Sequence, residues 1–210
     1  MSWQSEARQI PRRVWIVCAL FLTTLAYLIA SSFARPELLM YEPSPALARV
    51  AGDTLLTTIY TIDARDSEAW AFFDFSSASA VRNPGPSGWD LAVRRYRLVV
   101  NGGPQFGGRG GAREAVGMTW PAVDEAWERG YAVTTGSLDG EPVNPALDRW
   151  YRYDFFAHTL ESRGQTYVVR TAEGRYAKFR VLSYYCPEAT PGCLTIEYTF
   201  QGDGSRRLVP

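Results

Sequence analysis

The segment from Val14 to Phe33, VWIVCALFLTTLAYLIASSF, runs for twenty residues without a charge. At about 1.5 Å per residue, a helix of that length reaches roughly 30 Å, the thickness of a bilayer's hydrocarbon layer. A chain that opens this way is expected to have one transmembrane helix, with a second fold built by the residues that follow. Arg8, Arg12 and Arg13 precede the run against the single acid Glu6, whereas Arg35 on the far side is offset by Glu37 and Glu42. The positive-inside bias predicts a cytoplasmic tail over 1–13, a span over 14–33 and an extracytoplasmic C-terminal part, hence a single-pass protein of a bacterial inner membrane. A cleaved signal peptide competes, because Ser32-Phe33-Ala34 has the small-x-small pattern of a cleavage site. Against it, the run exceeds the usual apolar core of about 7–15 residues, and Pro36 follows almost at once. Within the helix, Thr23, Thr24, Ala26, Ala30 and Ser31 suit close packing against neighbouring helices, and a lone anchor in lipid is equally compatible with them.

Cysteine usage agrees with an oxidising compartment. Cys18 falls in the apolar run, while Cys186 and Cys193 flank PEATPG, a turn between two strand-like runs. A pair at the neck of a hairpin most simply forms a disulfide, closing a loop of about eight residues for roughly 2–3 kcal/mol. Two cysteines and one distant histidine do not make the usual four zinc ligands. Whole-chain counts of 22 basic and 22 acidic residues become 19 and 21 once Arg8, Arg12, Arg13 and Glu6 are set aside, so the outer part carries about −2. That balance does not attract nucleic acid.

Residues 34–53 read as a proline-broken tether, with Pro36, Pro43 and Pro45 favouring extended chain. From Thr54 the pattern turns to β. TLLTTIYTID and EAWAFFDFSS are rich in β-branched and aromatic residues, and the break between them at 64–67 suits a hairpin. WDLAVRRYRLVVN reads as one strand, either buried at both ends and wetted in the middle or carrying arginine stems along aromatic rings. NGGPQFGGRGGA places six glycines between Asn101 and Gly111. A Walker-type phosphate loop needs Lys-Ser or Lys-Thr after its glycines, and Ala112-Arg113 stand there instead. TWPAVDEAWERG has helix chemistry for one or two turns: Thr119 at the cap, Pro121 in the first turn, Gly130 beyond the end. The remaining strand-like runs from YAVTT to CLTIEYTFQ make consecutive antiparallel hairpins the simplest topology. The expected fold is therefore an all-β antiparallel domain over 54–210 with one short helix, behind a single N-terminal transmembrane helix.

Several of these stretches together resemble the HmuY family of secreted or surface-attached bacterial haem-binding proteins. WDLAVRRYRLVVNGG, the GGRGGA that follows and the late YAKFRVLSYY carry the likeness, most specifically in Trp89, Asp90, Ala92, Arg94 and Asn101-Gly102. Their physical reading is scaffold. Trp89 fills a core, Asp90 accepts hydrogen bonds from a turn or pairs with an arginine, and Asn101-Gly102 suit the positive φ of a tight turn. Well-known members grip haem iron between two axial side chains, usually histidines, and here the sequence departs. Its single histidine is His158 and its methionines are Met1, Met40 and Met118, so a bis-histidine site within one copy is excluded. His158 with Met118 is the mixed pair the resemblance leaves.

Catalysis has no comparable support. Nothing near His158 has the Gly-x-Ser-x-Gly form, and Asp124-Glu125 read as a helix N-terminus. The expectation is a non-catalytic accessory subunit without a cofactor, anchored in lipid by its one helix, with its β-domain docked on a larger integral membrane complex of respiratory or photosynthetic type. Haem or small-ligand binding of HmuY type is the alternative.

Overall fold

A computed structural model describes residues 11–33, 37–46 and 55–209. The expected tail therefore lies mostly outside the described residues, as do 34–36 and 47–53 of the tether and Thr54 at the start of the β-domain. The described residues separate into two compact units, one holding residues 11–33 and 37 with Asp154–Thr159, the other the rest.

Helix α1 spans Arg12–Phe33 and is long and apolar enough to cross a membrane. Three of its hydroxyls bond to the helix's own backbone. Thr23 Oγ1 donates to the Ala19 carbonyl at 3.0 Å, Thr24 Oγ1 to Leu20 at 2.8 Å and Ser31 Oγ to Tyr27 at 2.6 Å. These three side chains thus find their acceptors within the helix. Thr23, Thr24, Ala26 and Ala30 are exposed.

The β-domain begins with β1 (Leu56–Asp63), β2 (Ala71–Asp74), β3 (Ser79–Val81), β4 (Leu91–Arg94) and β5 (Arg97–Val100). It continues with β6 (Gly111–Glu114), β7 (Thr135–Gly136), β8 (Pro142–Val143), β9 (Tyr151–Asp154) and β10 (Thr159–Ser162). The long strands come last: β11 (Thr166–Arg170), β12 (Tyr176–Tyr185) and β13 (Pro191–Gln201). A five-stranded sheet runs β1-β13-β12-β11-β6 and a four-stranded one β3-β2-β4-β5, with the pairs β7-β8 and β9-β10 beside them. The strands of both large sheets, and β7 with β8, pair antiparallel.

Both sheets share one aromatic core. Phe73 and Phe75 from the smaller sheet and its turn meet Tyr198 of the larger at ring separations of 5.5 and 5.2 Å. Leu91, Val93, Leu98 and Val100 point into the same cluster. The opposite face of the small sheet buries Trp89, Ala92 and Val99 against Phe72 and Phe106. Outside the large sheet, Val168 packs with Val123, Ala126 and Leu208.

Three sequence expectations are corrected. WDLAVRRYRLVVN is not one strand but the hairpin β4–β5, with Arg94 opposite Arg97. Its two ends are buried because both strands face a core on each side, and its middle is open because the middle is the turn, where Arg95 takes a φ of 54°. β1 forms no hairpin with β2; it pairs along its full length with β13. Tyr60 and Ile62 go to the core with Leu194 and Ile196, while Thr57 meets Thr199 and Thr61 meets Thr195 through hydroxyl pairs at 2.9 and 3.0 Å on the other face. The stretch over 119–130 yields a single 3₁₀ turn, Trp120–Ala122, whose Thr119 makes no side-chain cap. Val123 and Ala126 are buried, and Ala126 and Leu208 exchange backbone bonds with Arg206 and Asp124, so packing against the C-terminus overrides local helix propensity.

Part of the expected tether lies along the domain. The Tyr41 amide donates to the Tyr185 carbonyl at 3.0 Å, the Ser44 amide to Thr61 at 3.0 Å and the Thr61 amide to Ser44 Oγ at 3.0 Å. Leu38 packs against the main core. The late hairpin is closed by the disulfide Cys186–Cys193.

Candidate functional site

The residues Trp89, Asp90, Asn101 and Gly102 are brought together at one joint. Asp90 is 3% exposed, and its carboxylate accepts from the Phe75 amide at 3.0 Å and the Ala172 amide at 2.8 Å. Phe75 follows β2 and Ala172 lies in the β11–β12 turn, so one carboxyl links the two sheets. Burial lifts its pKa to about 8 and the neighbouring Asp74 carboxylate adds to the rise, while the two amides act against it. Asn101, fully buried, donates Nδ2 to the Pro86 and Trp89 carbonyls at 2.8 and 2.9 Å and accepts from the Gly108 amide at 3.0 Å. The expected positive φ belongs to neither Asn101 nor Gly102 but to Gly103, at 98°. Gly102 is needed for a different reason: a Cβ there would sit 1.9 Å from the Gly110 carbonyl oxygen. Trp89 packs edge-on against Phe106 of the glycine-rich loop at 4.9 Å, and Ala92 fills the space beneath.

Arg94 lies outside this joint. Its guanidinium stacks 4.7 Å over Trp70 and pairs with Glu141, which Arg97 also reaches at 3.3 Å. Tyr96 and Tyr151 stand nearby, lining with Arg97, Asp139 and Asp148 a cavity of about 360 Å³ of mixed charge.

His158 ends the turn between β9 and β10, where it takes a φ of 54°. Asp154 Oδ1 builds that turn by accepting the Phe156 and Ala157 amides at 2.8 and 2.9 Å. The imidazole is exposed, with the Phe155 ring 6.0 Å away; Phe155 is 72% and Phe156 50% exposed. Two exposed aromatic rings beside a histidine combine apolar surface with an imidazole, the residue types that bind an iron porphyrin. The residues present fit haem held through one imidazole. Met118 is placed on a different element, in the exposed loop after β6, and Met40 accepts the Ala189 amide at its sulfur, 3.2 Å. Among the described residues no group of three or more His, Cys, Asp and Glu side chains gathers.

The two antiparallel sheets and the joint between them define an all-β domain. Residues 66–198 match the HmuY protein family, and the chain belongs to that family. The structure resembles an apo HmuY analog from Tannerella forsythia with a TM-score of 0.58 at 16% identity, covering 70% of this chain and 97% of that one. It also resembles a protein from Bacteroides fragilis described as a lipoprotein (TM-score 0.58, 17% identity, 79% and 98% covered). A protein from Bacteroides vulgatus described as HmuY-like and haem-binding gives a TM-score of 0.54 at 24% identity, with the same coverage. No curated protein matches the chain. These findings correct the expectation of a domain without a cofactor: the chain belongs to the HmuY family, and one of the structures it resembles is described as an HmuY-like haem-binding protein.

Sequence reasoning missed the reach of Asp90. Its partner Ala172 lies 82 residues away, and no local pattern announces a contact between turns so distant.

Proposed function

We propose that this protein binds haem outside the cytoplasm while α1 holds it at a membrane. Membership of the HmuY family over residues 66–198 is the observation that carries the reading. His158 supplies the axial nitrogen, and Phe155 and Phe156 cover one face of the macrocycle. Haem, if bound, would supply an iron centre that the His158 imidazole would hold. The protein's part is to hold and orient the ring, which is binding rather than catalysis. The arginines before the helix support insertion with the N-terminus in the cytoplasm at a bacterial inner membrane, and the disulfide suits the oxidising side. The expectation of an accessory subunit on a larger complex has no comparable observation behind it and yields to the haem reading.

The test is an absorption titration of the full-length protein in mild detergent with haem, oxidised and reduced. A saturable, sharpened Soret band is expected, with affinity at least tenfold weaker in His158→Ala. Met118→Leu, run in parallel, reports whether the thioether contributes to the spectrum. Absence of saturation in the parent protein sinks the reading, and an unchanged band in His158→Ala removes His158 from the site.

A further inference from the structure

The glycine-rich loop forms one wall of a cavity whose lining includes none of His158, Phe155 and Phe156. This space, about 420 Å³, lies between Gly103–Gly110 and the β11–β12 turn. Gly103, Gly108, Gly110 and Gly174 line it. They are glycines because chain segments approach too closely for a side chain: a Cβ at 103 would meet the Thr134 oxygen at 2.2 Å, and one at 110 the Asn101 oxygen at 2.3 Å. The consequence is a wall of bare backbone into which two guanidinium groups open, Arg109 from the loop and Arg170 from the end of β11.

Neither arginine has a carboxylate within 4.0 Å among the described residues, whereas Arg94, Arg97, Arg180 and Arg206 each do. No acidic side chain lines the cavity. Both guanidinium groups are held by backbone oxygens. Arg109 Nη2 donates to the Glu173 carbonyl, and Arg170 Nε donates to the Arg109 carbonyl at 2.8 Å. A guanidinium has five N–H donors, so each keeps several for a ligand. The Gly108, Gly110 and Gly174 amides are already given to Asn101 and Thr171, so recognition here falls to the arginines and not to a nest of amides. Two positioned guanidinium groups over bare backbone match the planar, bidentate geometry of a carboxylate or phosphate. We propose that the cavity between the glycine-rich loop and the β11–β12 turn binds a small ligand through an oxyanion group, carboxylate or phosphate, held by Arg109 and Arg170.

Melting of the full-length protein in detergent, at constant ionic strength balanced with chloride, tests this. Inorganic phosphate and succinate are titrated separately. A saturable rise in melting temperature is expected with at least one of them, its half-saturation concentration at least tenfold higher in Arg109→Gln and in Arg170→Gln. Arg109→Lys, which keeps the charge, is expected to lose less than Arg109→Gln. A response to phosphate alone assigns a phosphate ligand, and one to succinate alone a carboxylate. The proposal is overturned if neither anion saturates, or if the Arg109→Gln protein, melting as the parent does in chloride, still responds like the parent.

Discussion

Asp90 is the residue on which the frame turns, and its chemistry makes it testable by pH. Its carboxyl is lifted to about 8 by burial beside Asp74, against about 3.9 for an unfolded aspartate. Between those limits the folded chain holds one proton more than the unfolded chain. That stabilisation is complete below about pH 4 and is lost as pH rises through about 8. Urea denaturation followed by tryptophan fluorescence should therefore show a component of stability that falls between pH 5 and 8 and is absent in Asp90→Asn. The asparagine also turns an NH₂ toward one of two backbone amides and lowers stability by about 1–3 kcal/mol. Equal pH slopes for the two proteins would refute this account. The sequence shows that Trp89-Asp90 and Asn101-Gly102 matter to the scaffold, since a buried tryptophan and a polar residue beside it need partners. It does not show which partners, because those are backbone amides of turns far away in the chain.

At the scale of elements, the strands with alternating or continuous β-branched and aromatic residues are legible: β11, β12 and β13 fall where their patterns place them. The hairpin within RRYR is not legible, because its turn lacks the Gly or Asn that normally marks positive φ. Nor is the pairing of β1 with β13, a contact between the two ends of the domain. The stretch over 119–130 fails as a helix because its apolar residues are claimed by the sheet beneath. Lys178, the chain's only lysine, pins that stretch from β12: its Nζ donates to the Val123 carbonyl at 2.8 Å and Trp120 at 3.2 Å, 4.8 Å from the Trp120 ring. Being 3% exposed, Lys178 should resist an amine-reactive reagent in the native protein and react only after denaturation, as read by mass spectrometry. Rapid native labelling would show that the 120–123 segment does not cover it.

For the whole molecule, the strap Leu38–Ala46 decides where the folded domain starts. It bonds to Tyr185 and Thr61 and lies beside β1, a strand that closes one edge of the five-stranded sheet. Covering an edge in this way also guards it against pairing with other chains. A protein beginning at Leu47 should melt roughly 4–8 °C below one beginning at Glu37, equivalent to about 2 kcal/mol. Coincident melting curves would return the strap to the status of a linker. Proline content alone reads as tether, because the bonds that fasten it come from its backbone and one serine.

The joint of Trp89, Asp90 and Asn101 has a wider meaning. It fastens one sheet to the other, and through Asn101 it also holds the Gly108 and Gly110 amides of the loop that walls the Arg109–Arg170 cavity. The joint is thus a coupling of the chassis that also shapes one side of the hold: a change at Asn101 would be felt in the frame and in whatever the cavity carries.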